Sequence, residues 1–246
     1  MTSIGLLIMT YGSPETLDDV EEYLTNIRRG NPPPDELLED FKQRYEAIGG
    51  SPLNEITMEQ AEATANTMEQ ALSGVEVKPY MGMRYFHPHI RDTVEQMAHD
   101  GIEQAGALIM SPQYSPVLMK DYIDQLEEAL EEVENAPEVH LVKDWSENDQ
   151  YHRSVAQRIE QSFNEVPLED TSDVPLLLTA HSLPKSAWER DPDYVDKLKN
   201  TADAIAGHLD HENWDFAYQS AGHTKEEWLK PDMTDLFPGM VEEGHE

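Results

Sequence analysis

The sequence predicts an α/β fold of parallel strands, and three observations predict it. Apolar runs bounded by turn residues alternate with helix-period segments along the whole 246-residue chain. The first run, Ile4–Thr10, is continuous rather than alternating, as a strand buried on both faces of a sheet is. Two segments also echo each other. Leu6–Pro14 reads strand, Tyr, Gly-Ser-Pro, and Leu176–Pro184 reads strand, His, Ser-Leu-Pro. The reading is two Rossmann-like halves with parallel sheets facing across a cleft, residues 1–145 and 146–246. Each half places a polar ring at the carboxyl end of a strand, where open α/β sheets build their sites. Taken alone, the echo is equally explained by chance similarity.

The elements follow in order. Ile4–Thr10 is a strand that ends in the turn Tyr11-Gly12-Ser13-Pro14. Asp18–Ile27 is a helix, with Leu17, Val20, Tyr23, Leu24 and Ile27 on one face. Gly30 and the run Pro32-Pro33-Pro34 break it. Asp35–Ile48 is a second helix, closed by Gly49-Gly50. Thr57–Leu72 is a helix, Val75–Met83 a strand, His89–Asp100 a helix and Ala105–Ser111 a strand. Lys120–Asn135 is an acidic helix, Val139–Asp144 a strand and Asp149–Val166 a helix. Val174–Thr179 is a strand that enters Ala180-His181-Ser182-Leu183-Pro184. Asp193–His208 is a helix, Trp214–Gln219 a strand and Met233–Glu243 a short helix interrupted by Pro238.

Composition removes several function classes. Acidic residues number 50 and basic residues 17, a net charge of −33. Such an excess excludes nucleic acid and anionic membranes as general partners. The acids are spread along helical faces, a surface like that of proteins from high-salt cytoplasm. There is no cysteine, so thiolate catalysis, disulfides and Cys-bound iron–sulfur clusters are excluded. No apolar run approaches the ~18 residues of a membrane span. Ile4–Met9 lacks the length and basic flank of a signal sequence. A cytoplasmic, soluble, monomeric protein is expected. Gly-x-Gly-x-x-Gly, Walker A, His-Glu-x-x-His and Gly-x-Ser-x-Gly are all absent.

Two features carry candidate chemistry. His181 follows a buried strand and precedes a Pro turn, so its ring is expected at the sheet edge. A neutral imidazole there can ligate a divalent metal or accept a proton; a hydrogen-bonded loop histidine explains the same spacing. Arg28-Arg29 is an adjacent basic pair at a helix C-terminus, where the dipole alone favours cations. The alternative is a carboxylate clamp, because guanidinium binds carboxylate in bidentate fashion. Arg44-Tyr45, at the next helix end, extends such a clamp. His87 and His89, around Pro88, read as surface or capping residues.

An ordered set of short segments then resembles the ferrochelatase family. The segments are Tyr11-Gly12-Ser13-Pro14, Ile27-Arg28-Arg29-Gly30 and the stretch from Arg44 through Gly49-Gly50-Ser51-Pro52-Leu53. They continue with Gly82-Met83-Arg84-Tyr85-Phe86-His87-Pro88, Pro112-Gln113-Tyr114-Ser115, Ala180-His181-Ser182-Leu183-Pro184, Tyr218-Gln219-Ser220 and Trp228-Leu229-Lys230-Pro231. The Tyr-Gly-Ser-Pro and Ile-Arg-Arg-Gly forms look like the coproporphyrin type of Gram-positive bacteria. The resemblance implies a class II chelatase-like fold and insertion of ferrous iron into a porphyrin, coproporphyrin III first, in haem biosynthesis. It implies porphyrin and ferrous iron as partners, with iron as substrate, no tightly bound cofactor and no iron–sulfur cluster.

The resemblance also assigns roles. His181 matches the histidine that meets ferrous iron and helps remove pyrrole protons. Tyr11 matches a tyrosine on the other porphyrin face that can ligate iron. Arg28, Arg44, Tyr45, Ser51 and Tyr122 match positions that hold the macrocycle and its propionates, and Trp228 matches a wall residue. The family pattern continues past Trp228-Leu229-Lys230-Pro231 through further strands and carries a glutamate that partners the histidine. No residue here matches it, so the second half is expected to be truncated, with a sheet edge unpaired. Three alternatives stay open: a non-catalytic porphyrin or haem binder, an inactive truncated fragment, and a cobalt or nickel tetrapyrrole chelatase.

Overall fold

The computed structural model describes residues 2–165, 174–222 and 225–242. The expected helix end at Val166 and the tail residue Glu243 lie outside them. The chain divides into two compact units. Residues 1–111 and 119–143 form the first, and residues 112–118 and 144–246 form the second.

The first unit runs β1 (Thr2–Thr10), a 3-10 turn at Leu17–Asp19, α1 (Val20–Ile27), α2 (Asp35–Ala47), α3 (Leu53–Ala71) and β2 (Val75–Met83). It continues with α4 (Ile90–His99), β3 (Gln104–Ile109), α5 (Lys120–Glu132) and β4 (Glu138–Val142). The four strands pair in parallel in the order β2-β1-β3-β4. β1 is central and is buried from Gly5 to Thr10, which is why its sequence is an unbroken apolar run. β2 is an edge strand, and that position tolerates Pro79, which has no N–H to donate outward.

Alternation along β1 sends Leu6 and Ile8 to one face and Leu7 and Met9 to the other. On the first face Ala61 and Ala65 of α3, one helical turn apart, pack with Leu6, Ile8 and Val77. Small residues at that spacing let the helix lie close to the sheet. On the second face α4 comes as near. A Cβ placed on Gly5 would stand 3.2 Å from Met97 Sδ, and one on Gly82 would stand 3.1 Å from Ile90 Cα. The sheet is therefore covered by helices on both faces, as the alternation of elements requires. In the order 2-1-3-4 the chain leaves β1 toward opposite edges. The carboxyl ends of β1 and β3 thus mark the switch point at which such sheets form a crevice.

The second unit runs α6 (Asp149–Glu165), β5 (Leu176–His181), α7 (Lys185–Trp188), α8 (Asp193–Leu209), β6 (Trp214–Gln219) and α9 (Met233–Glu242). Its described sheet is the parallel pair β5–β6. Val195, Tyr218 and Leu229 form a core cluster with Leu183 and Phe216 against it. No residue of β5 is fully buried. The segment 112–118 is tied into this unit. The Gln113 side chain donates to Thr201 Oγ1 at 3.0 Å, and Lys197 reaches the Tyr114 carbonyl at 3.1 Å and Asp144 at 2.7 Å.

Several boundaries differ from the sequence reading, and three of them have clear local reasons. The predicted helix Asp18–Ile27 divides into the 3-10 turn and α1, with Asp19 accepting hydrogen bonds from the Thr16 amide and hydroxyl. α3 begins at Leu53 rather than Thr57 because the Pro52 carbonyl already accepts the Ile56 amide. β5 starts at Leu176 and extends through His181, whose register partner is Gln219.

Gly12 sets the exit from β1. Its φ is +89°, and an added Cβ would stand 3.0 Å from the Met83 Cβ. Gly12→Ala is expected to lower stability by about 1–2 kcal/mol through the left-handed backbone alone. Chemical denaturation of both proteins checks this; an unchanged midpoint would contradict it.

Candidate active site

The first unit gathers aromatic and cationic side chains where β1 and β2 end. Backbone bonds continue the pairing past both strands: the Arg84 amide donates to the Thr10 carbonyl at 2.9 Å and the Tyr85 amide to the Tyr11 carbonyl at 3.1 Å. Tyr11 and Arg84-Tyr85 are thus fixed side by side at the sheet edge. The Tyr11 and Tyr85 ring centroids lie 4.6 Å apart, and Tyr23 of α1 stands edge-on to Tyr11 at 6.5 Å. Asn26 of α1 donates to the Tyr85 carbonyl at 3.1 Å.

Arg84 is the centre of this group. Its side chain is only 14% exposed and ion-paired to Asp121 of α5. Its guanidinium lies 4.5 Å from the Tyr85 ring centroid and 5.1 Å from that of Tyr122, so cation–π attraction adds to the ion pair. Arg29 Nη2 stands 3.9 Å from the same Asp121 oxygen. Arg29 is reachable because α1 ends with the Gly30 amide bonded to the Thr25 carbonyl and Arg29 at φ +56°. Beside the group is an open hollow of about 470 Å³ lined by Asn26, Arg29, Arg84, Tyr85, Asp121 and Gln125 among others.

Burial governs the phenols. It pushes the Tyr11 hydroxyl up, raises Tyr23 and Tyr122 well above the usual tyrosine value, and takes Tyr85 to about 12. Arg84 pulls Tyr11, Tyr85 and Tyr122 the other way, and desolvation wins at each. Tyr11 is therefore a neutral phenol at physiological pH, and a weak oxygen donor.

Three of the sequence-predicted residues meet here. Tyr11 is 41% exposed at the edge, and Tyr122 is buried beneath Arg84. Tyr45 accepts from Ser13 Oγ at 3.3 Å and neighbours Tyr23. Arg28 caps α1, exposed, with Nε donating to the Asn31 carbonyl at 3.2 Å. Arg44 is exposed and engaged on its own helix with Asp40 at 2.7 Å and the Phe41 ring. Ser51 shapes the turn before α3, its hydroxyl accepting the Leu53 amide at 3.3 Å. The sequence reading missed Arg84, Tyr85, Tyr23 and Asp121 as site residues. Arg84-Tyr85 carried the same signal as Tyr11, a polar ring just past a strand. Asp121 carried none, being one acid among many on an acidic helix.

His181 lies in the second unit as the last residue of β5, exposed, with Nδ1 3.3 Å from the Gln219 carbonyl. A carbonyl can only accept, so Nδ1 carries a proton, and in the neutral ring the lone pair lies on Nε2. Ser182, buried beside it, donates to the Leu229 carbonyl at 3.0 Å and fixes the turn. Among the described residues no group of three or more His, Asp or Glu is placed to hold a metal ion, and no helix is long and apolar enough to cross a membrane.

A family model described as Ferrochelatase matches residues 3–246. Coproporphyrin III ferrochelatase 2 of Bacillus cereus is 39% identical over 241 residues, 98% of this chain and 75% of the relative. Coproporphyrin III ferrochelatase of Oceanobacillus iheyensis is 38% identical, covering 97% of this chain and 76% of its own. That of Listeria monocytogenes is 36% identical, covering 95% and 75%.

Two measurements check the edge. Because the folded phenols keep their protons above the unfolded value near 10, stability is full below pH 10 and falls as pH rises toward 12. Ultraviolet titration is expected to show a set of tyrosines that keep their protons well past the ordinary value; normal titration of every tyrosine would contradict it. Arg84→Gln leaves Asp121 without its main partner and is expected to cost about 1–3 kcal/mol. Calorimetric unfolding within 0.5 kcal/mol of the parent would show the pair to be inert.

Proposed function

The chain belongs to the ferrochelatase family, and on that premise we propose that it inserts ferrous iron into coproporphyrin III as a step of haem biosynthesis. The observation that carries the reading is the largely shielded Arg84, within cation–π reach of two tyrosine rings beside Tyr11, at the carboxyl edge of the first sheet. A porphyrin presents a flat aromatic face and peripheral carboxylates. Clustered phenol rings fit the face, and guanidiniums fit the carboxylates. Arg28, Arg44, Tyr45 and Ser51 hold propionates. Tyr122, under Arg84, backs the macrocycle. Tyr11 faces one side of the ring as a neutral oxygen donor.

The reaction exchanges two pyrrole N–H protons for one ferrous ion, so the protein must accept protons and deliver iron without retaining it. His181 performs both at Nε2, as a neutral base and as a single imidazole ligand. Iron is the substrate, and the enzyme needs no bound cofactor; a chain without cysteine offers no thiolate for an iron–sulfur cluster. It acts as a cytoplasmic monomer.

Two variants separate the roles. Arg28→Ala removes a charge-assisted contact of about 1.5–3 kcal/mol and is expected to weaken coproporphyrin binding by roughly 10-fold or more, with little change in stability. Equal affinity would return Arg28 to a helix-capping role. His181→Ala is expected to abolish iron insertion while leaving porphyrin affinity nearly intact, the signature of a group acting in the chemical step. Turnover near the parent's rate would remove His181 from the mechanism. A parent chain that binds porphyrin tightly yet never consumes it with iron would favour the non-catalytic carrier.

A further inference from the structure

We infer that the surface charge of this protein opposes capture of its porphyrin and favours capture of its metal, so that ionic strength sets the balance between its two substrates. This rests on the proposed substrates and adds a property that the site alone does not imply. The chain carries 50 acidic and 17 basic residues. Coproporphyrin is a tetracarboxylate and ferrous iron a dication. The two substrates therefore meet the same field with opposite sign.

The arrangement around the hollow sharpens the argument. Its cations are largely spoken for: Arg84 and Arg29 share Asp121, and Arg91 pairs with Glu95 and Glu132; Arg44, on α2 outside the hollow, pairs with Asp40. α5, which lines the hollow, and α2, which packs on α1, are acidic outward. Glu36 and Glu39 on α2, and Glu127 and Glu131 on α5, are exposed. Range decides which charges a ligand feels. The Debye length is about 30 Å at 0.01 M salt and about 8 Å at 0.15 M. At low salt an approaching porphyrin meets the summed field of −33. At higher salt only the arginines within a few ångströms of its carboxylates remain unscreened. Fields of this kind alter association rates by about 10- to 1,000-fold.

The test is stopped-flow binding of coproporphyrin III to the full chain from about 0.02 to about 0.5 M potassium chloride. Circular dichroism holds the folded fraction constant, and the half-saturating ferrous iron concentration is measured in parallel. The porphyrin on-rate is expected to rise about 10-fold while iron half-saturation moves to higher concentration. A general effect of salt on folding would move both in one direction. The triple variant Glu36→Gln, Glu127→Gln, Glu131→Gln is expected to bind porphyrin faster at low salt and to flatten the salt slope, with the off-rate unchanged. A porphyrin on-rate that falls with salt, as for opposite charges, would overturn the inference and leave the proposed activity standing. Absence of porphyrin binding at every ionic strength would overturn both.

Discussion

The interaction on which the first unit's edge depends is the ion pair between Arg84 and Asp121, closed over by the rings of Tyr85 and Tyr122. A guanidinium that is 14% exposed must be compensated. Asp121 compensates its charge, and the two rings offset part of its lost hydration. Through this one side chain, residues after β2 are joined to α5, and the backbone bonds at Thr10 and Tyr11 join both to β1. The result is a rigid aromatic edge at the place where a 2-1-3-4 sheet opens.

The two units carry different chemistry. The first unit offers ring faces and guanidiniums, groups suited to a flat aromatic face and to carboxylates. The second offers His181, with its tautomer fixed by the Gln219 carbonyl and its turn fixed by Ser182. Recognition and proton transfer make different demands. A desolvated edge raises phenol pKa values and keeps the phenols neutral. The proposed base, His181, is by contrast exposed at the end of its strand. Placing them on separate elements lets each be met.

Much of the fold was legible because it rests on patterns that local sequence carries. β1 reads as a buried strand because both its faces are covered, and Ala61 and Ala65 mark the face that α3 turns to the sheet. The parallel pairing follows from alternation alone. Boundaries were less legible where a neighbour decides them, as at His181, which joins β5 because Gln219 lies across from it. Of the candidate residues, Tyr11 and His181 were visible as rings after strands. Asp121 was not, because nothing in an acidic helix distinguishes the one carboxylate that meets a buried arginine from those that meet water. Arg84 was overlooked for a related reason: its burial is created by residues far apart in sequence, Tyr122 and Asp121 among them.

The central claim is that the carboxyl edge organised by Arg84 is where the macrocycle sits. Amide hydrogen exchange with and without coproporphyrin III tests it most directly. The account predicts slowed exchange confined in the first unit to residues 10–13, 27–30, 84–86 and 120–126, with the α3 face unchanged. Tight porphyrin binding that leaves these segments unprotected would contradict it.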